Sequence, residues 1–131
     1  MPRARTPQKQ LELNTAEGAF GNELQKENDF VNKIRIKIRD WRRSNYPGLT
    51  KTSRNLLAYW QDETRENKLF FCQIEAMETF MYLNEVAEKS GENWIVNDLK
   101  KSNNEANPGL YRLAFKMATG SGKTVVMAMI I

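Results

Sequence analysis

Gly120, Gly122, Lys123 and Thr124 stand in the order that a polyphosphate-binding turn requires. Two glycines let the backbone curl so that successive N–H groups converge on an anion without side chains crowding the approach. A helix opening at Lys123 adds unpaired N–H groups and the positive end of its dipole. Lys123 would extend over the β- and γ-phosphates, and the Thr124 hydroxyl would ligate Mg²⁺. Thr119 and Ser121 complete the turn, Ser121 at a place that admits only a small side chain. The flanks suit the same reading, with an apolar strand over Leu110 to Lys116 and an apolar helix from Lys123. The strict pattern G-x-x-x-x-G-K-[ST] asks for glycine at 117, where this chain has Met117.

A second candidate lies fifty residues upstream. Gln73 falls at the start of a helix, in Phe71-Cys72-Gln73-Ile74-Glu75-Ala76. A glutamine amide places one donor and one acceptor side by side, matching the N6 and N7 edge of adenine. Taken alone, Gln73 is an ordinary polar residue on a helix surface; beside a phosphate turn it becomes a candidate adenine reader. Phe70, Phe71, Tyr46 and Arg65 could each cover the face of the base, and the sequence does not choose among them.

The elements that would position these residues can be read from hydrophobic spacing. Residues 1–28 hold Pro2, Pro7, Gly18 and Gly21 among many Gln, Asn and Glu, and are expected to form a flexible tail. Phe30, Ile34, Ile38 and Trp41 then recur at helical spacing, with Asp29 as the cap and Tyr46-Pro47-Gly48 as the stop. Thr52 or Ser53 opens a second helix through Trp60. A third runs from about Phe71 to Lys89 and ends at Ser90-Gly91. Trp94-Ile95-Val96 is too short to assign, and Lys101 to Gly109 reads as a polar loop. The division expected is a tail at 1–28, a helical extension at 29–68 and the start of a nucleotide-binding lobe at 69–131.

Composition narrows the function classes. The chain has 131 residues, a formal charge of +4, no histidine and one cysteine. Histidine catalysis and histidine metal sites are excluded. Cys72 alone can form neither an internal disulfide nor a zinc site, so a reducing cytoplasm is the default expectation. The apolar stretch from Val125 to Ile131 is far too short to span a bilayer. Lys33, Arg35, Lys37, Arg39, Arg42 and Arg43 crowd one helix and could lie along a nucleic-acid backbone, although a solvated helix face is the plainer reading. Trp41, Trp60 and Trp94 could stack on bases, but at helical spacing they suit a core better.

Taken together, Val31-Asn32-Lys33-Ile34-Arg35 with Asp40-Trp41-Arg42, Tyr46-Pro47-Gly48-Leu49-Thr50, Arg54-Asn55-Leu56-Leu57, the Leu69 to Thr79 stretch and the segment from Phe115 to Met129 resemble the amino-terminal part of a DEAD/DEAH-type helicase of superfamily 2. More narrowly, they resemble the amino-terminal part of the Res subunit of type III restriction enzymes, over residues 29 to 131. The relaxed first position of the phosphate turn, at Met117, is also a feature of motif I in that superfamily. The resemblance implies an α/β fold: a RecA-like lobe cut short after motif I, mostly helical, with one P-loop strand. It also implies an ATP- and Mg²⁺-dependent hydrolase that translocates along DNA, cleaves it in the full-length protein, and works with a modification (methyltransferase) subunit. On that resemblance Gln73, Thr119, Gly120, Ser121, Gly122, Lys123 and Thr124 bind the nucleotide, and Thr124 holds the metal. Because the sequence stops at Ile131, this piece by itself is expected to be inactive as an ATPase. Two rivals stay open: another P-loop enzyme such as a nucleotide kinase, and a basic DNA-binding module without ATPase activity.

Overall fold

A computed structural model of the protein describes the backbone from Gln8 and side chains from Gly21 onward. Among the described residues five α-helices run in order: α1 Gln8–Arg43, α2 Lys51–Gln61, α3 Phe71–Met81, α4 Asn93–Ala106 and α5 Lys123–Ile130. A π-helical turn, Tyr82–Val86, continues α3. The chain divides into two units, residues 1–36 and 37–131. In the first, the described part is helix throughout. Residues 1–7 of the expected tail lie outside the described residues, and from Gln8 onward that segment belongs to α1. No proline interrupts 8–46, so nothing in that span blocks the ladder of i→i−4 bonds. Asp29 therefore lies inside a helix and does not cap one.

The expected α/β architecture is overturned. No strand occurs among the described residues, and Leu110 to Ala118 carries no regular secondary structure. A strand exists only through hydrogen bonds to a neighbouring strand, and no other described segment supplies that partner. Local apolar character at 110–116 was a sound strand signal without a ladder to join. The segment instead takes side-chain help: the Arg112 N–H donates to Asn103 Oδ1 at 2.8 Å. The polar loop expected from Lys101 is also corrected, because α4 continues to Ala106. Ile95 is fully buried and anchors that helix, while the Asn103 amide donates back to the Leu99 carbonyl at 3.0 Å.

In the second unit α3 packs against α2 and α5. Its apolar core includes Ile38, Trp41, Leu57, Met77, Met81, Tyr82, Ile95 and Val126. Trp41 is a core residue and not a base-stacking platform: its indole N–H donates to the Pro47 carbonyl at 2.8 Å. Its ring meets Tyr46 and Tyr82 edge-on, at centroid distances of 4.9 and 5.2 Å.

A carboxylate sits in this core. Glu78 is 0% exposed and accepts both prongs of the Arg42 guanidinium, with Nε at 2.7 Å from Oε1 and Nη2 on Oε2. Tyr46 OH donates to Glu78 Oε1 at 2.6 Å, and the Gln61 amide donates to the Tyr46 hydroxyl at 2.8 Å. The network joins the end of α1, the following turn, α2 and α3. Tyr46 reaches Glu78 from an unusual backbone position, since Asn45 and Tyr46 both have positive φ, 61° and 55°. Such conformations cost about 1 kcal/mol or more for ordinary residues. Arg54 holds them there by donating to the Asn45 and Tyr46 carbonyls at 3.0 and 2.8 Å.

In the π-helical turn that continues α3, Glu85 caps the beginning of α2. It accepts from the Thr50 N–H at 3.0 Å and from the Ser53 hydroxyl, while Thr50 Oγ1 accepts from the Ser53 N–H at 3.3 Å as the N-cap of α2. Burial opposes ionisation of Glu85, but the hydrogen bonds from Ser53 and Thr50 outweigh it and hold the carboxyl below its ordinary value. Glu92 is likewise lowered, by the 2.6 Å ion pair with Lys37 and the Trp94 indole N–H. The same ion pair raises Lys37.

Glu78→Gln leaves the Arg42 guanidinium without its counter-charge and is expected to lower unfolding free energy by about 3 kcal/mol. Tyr46→Phe should cost about 1 kcal/mol, and the double variant less than the sum, all read from urea midpoints. Folded-state values depressed at Glu85 and Glu92 mean that their contribution is fully present above the unfolded carboxylate pKa of about 4. It is lost as pH falls through the folded values, so stability is expected to drop steeply below that point. Glu85→Gln should flatten the acid limb of a thermal-stability profile; an unchanged limb contradicts the assignment.

Candidate functional site

The phosphate-turn residues fall where α5 begins. Gly120 and Gly122 both adopt left-handed backbone, with φ of 78° and 77°, which a residue without Cβ occupies freely. Gly122 is the N-cap of α5, and Lys123 and Thr124 are its first two residues, both exposed. Helical geometry leaves their N–H groups without intrahelical acceptors. Ahead of the cap, the Ser121 hydroxyl and N–H both donate to the Ala118 carbonyl, at 2.6 and 3.3 Å. Thr119 and Gly120 lie at the exposed outer edge of the turn. Space for a Cβ at Gly120 is open.

Gln73 meets this turn directly. It occupies the third position of α3 and is only 3% exposed. Its Oε1 accepts from the Phe70 N–H at 2.8 Å, which satisfies a donor at the start of α3. Its Nε2 donates to the Gly122 carbonyl at 3.3 Å. That carbonyl also accepts from the N–H groups of Val125 and Val126, at 3.0 and 3.3 Å. Cys72, beside it, directs its thiol to the Ser121 carbonyl at 3.8 Å. The sequence treated Cys72 as a marker of redox environment only; nothing in residue spacing signals its contact with the turn.

The structure therefore brings together Gln73, Ser121 and Gly122, and places Lys123 and Thr124 on the adjoining first turn of α5. Of the candidate base-covering residues, Tyr46 is committed to Glu78 and the Arg65 guanidinium lies 4.5 Å from the Tyr59 ring centroid. Phe70 and Phe71, 61% and 62% exposed, remain available beside Gln73. The Arg42 guanidinium also lies 5.2 Å from the Phe71 ring centroid.

The cations in the second-unit part of α1 pair with carboxylates of the fold. Arg42 binds Glu78, Lys37 binds Glu92, and Arg39 and Arg43 both lean on Asp40 at 3.3 and 4.0 Å. Among the described residues no cluster of His, Cys, Asp and Glu could hold a metal by itself. Among those residues, too, no helix is long and apolar enough to cross a membrane.

No family model, curated protein or solved structure matches the chain. A functional assignment therefore rests on the geometry and chemistry of the residues themselves.

The two glycines respond differently to a methyl group. At Gly122 an added Cβ combines left-handed strain with a collision against Gln73 Nε2, whereas at Gly120 only the backbone strain applies. Gly122→Ala is expected to cost more than Gly120→Ala, which should lose about 1 kcal/mol. Amide exchange along α5 is the measurement; equal acceleration in both variants contradicts the close Gln73 contact.

Proposed function

We propose that residues 69–131 bind a nucleoside triphosphate, ATP with Mg²⁺, as the amino-terminal part of a DNA translocase of the helicase class. The observation that carries this reading is the pair of left-handed glycines leading into α5, with Gln73 docked against the turn. The geometry fits the demands of a polyphosphate. Exposed N–H groups at the start of α5 and its dipole favour anions, Lys123 supplies a mobile positive charge, and the space around Gly120 is open to an approaching phosphate. Thr124 would hold the cation through its hydroxyl, and the bound cation would neutralise charge on the phosphate oxygens. Phe70 and Phe71 offer apolar faces to the base.

The wider activity follows the resemblance to Res subunits: ATP-driven movement along DNA, cleavage in the full-length protein, and partnership with a modification subunit. The rival reading as a basic DNA-binding module gains no observation of its own, because most cations of the second-unit part of α1 already have partners.

Titration with a fluorescent ATP analogue and Mg²⁺ tests the proposal. Saturable binding is expected, weakened at least about tenfold by Lys123→Ala, the loss of one charge-assisted contact. An absence of saturable binding, or equal affinity in the variant, rejects it.

A further inference from the structure

Gln73 is the least exposed member of the candidate site, and its two hydrogen bonds point in opposite directions along the chain. One ends on the Phe70 N–H at the start of α3; the other ends on the Gly122 carbonyl at the start of α5. We infer that Gln73 is a positioning residue that pins the phosphate turn to α3, so that it acts on the triphosphate through Gly122 and not by reading the base alone.

Three observations carry this. Gly122 occupies left-handed backbone at the single point where Gln73 presses on it, and a Cβ there would collide with Gln73 Nε2 and approach its Cδ to 3.3 Å. The carbonyl that Gln73 holds also receives the N–H groups of Val125 and Val126 in the first turn of α5, so fixing that oxygen fixes the direction of the helix axis. Val126, 4% exposed, is the buried apolar anchor of α5. The turn and the helix are thus pinned at one atom from α3 and one side chain in the core. Cys72 adds a weaker contact to Ser121 on the same side.

Hydrogen-bonding capacity agrees with this role. An amide has two donor hydrogens and two acceptor lone pairs; one of each is already used in the fold. The remaining pair is shielded, since only 3% of the residue is exposed. An edge buried to that extent suits a tether better than a surface for selecting bases. Donor N–H groups aimed at an anion contribute most when they are fixed before the anion arrives. A loosened turn would weaken every triphosphate alike, with or without a base.

This consequence for binding rests on the nucleotide reading; the tether itself does not. The experiment compares wild type with Gln73→Glu, which keeps the volume and the acceptor for the Phe70 N–H but removes the donor to Gly122. Gln73→Met, which removes both bonds, is the second variant. Amide hydrogen exchange is followed at Val125 and Val126, with Ile95 in α4 as the internal reference for global folding. Affinities are measured for Mg·ATP and for inorganic tripolyphosphate, which has no base.

Faster exchange at Val125 and Val126 with Ile95 unchanged is the expected result, together with losses of about tenfold for both ligands, the worth of one hydrogen bond. Unchanged exchange at both valines overturns the tether. Weakened ATP with unaltered tripolyphosphate also overturns it and leaves Gln73 as a base reader. Wild-type protein that binds neither ligand rejects the nucleotide reading, while the exchange comparison still decides the tether.

Discussion

A buried carboxylate needs a full set of donors or it destabilises the fold that surrounds it. Glu78 has that set. Arg42 occupies both oxygens and Tyr46 adds a third donor, with Gln61 behind it. Because these donors come from the end of α1, the turn after it and α2, satisfying one side chain fixes how three segments meet α3. The turn at Asn45 and Tyr46 accepts left-handed backbone for the same reason. That path delivers the tyrosine hydroxyl to Glu78, and Arg54 donates to the Asn45 and Tyr46 carbonyls along it.

α3 consequently works in two directions. Toward its carboxyl end, Glu78, and Glu85 in the π-helical turn that follows, organise the helices that precede it. At its amino end, Cys72 and Gln73 hold the turn that precedes α5. The residues proposed to meet a triphosphate therefore belong to α5 and its turn, but their placement depends on α3. The π-helical turn continuing α3 shifts the register by one residue, as the Ala87 N–H bonds to the Tyr82 carbonyl at 2.8 Å. That shift ends the regular spacing on which a single helix to Lys89 was expected.

Elements whose information is local were legible from the residues. The helix containing Ile38 and Trp41, its stop before Pro47 and the start of α3 at Phe71 follow from periodicity and capping, whereas α2 opens at Lys51 with Thr50 as its N-cap, ahead of the expected start at Thr52 or Ser53. The glycine turn and the helix after it were legible too, because left-handed backbone and a helix start are properties of adjacent residues. Elements that need a distant partner were not legible. The apolar run at Leu110 to Lys116 looked like a strand, yet strand formation depends on a neighbour that lies elsewhere in the chain. Asn-rich Lys101 to Ala106 looked like a loop, and α4 extends through it with Ile95 buried at its start.

What the sequence by itself determined is the chemistry at hand: which residues could curl around phosphate, which could offer an amide to a base, and which kinds of site are excluded by the absence of histidine and the single cysteine. Tertiary structure decided how those residues are used. It buried Gln73 between two backbone groups, committed Tyr46 and Arg42 to Glu78, and left Phe70 and Phe71 exposed beside the turn. The physical reason is that a side chain's type fixes what bonds it can make, whereas its partners are fixed by packing among residues far apart in the chain. Gln73 and Gly122, forty-nine positions apart, meet only when α3 and α5 pack together.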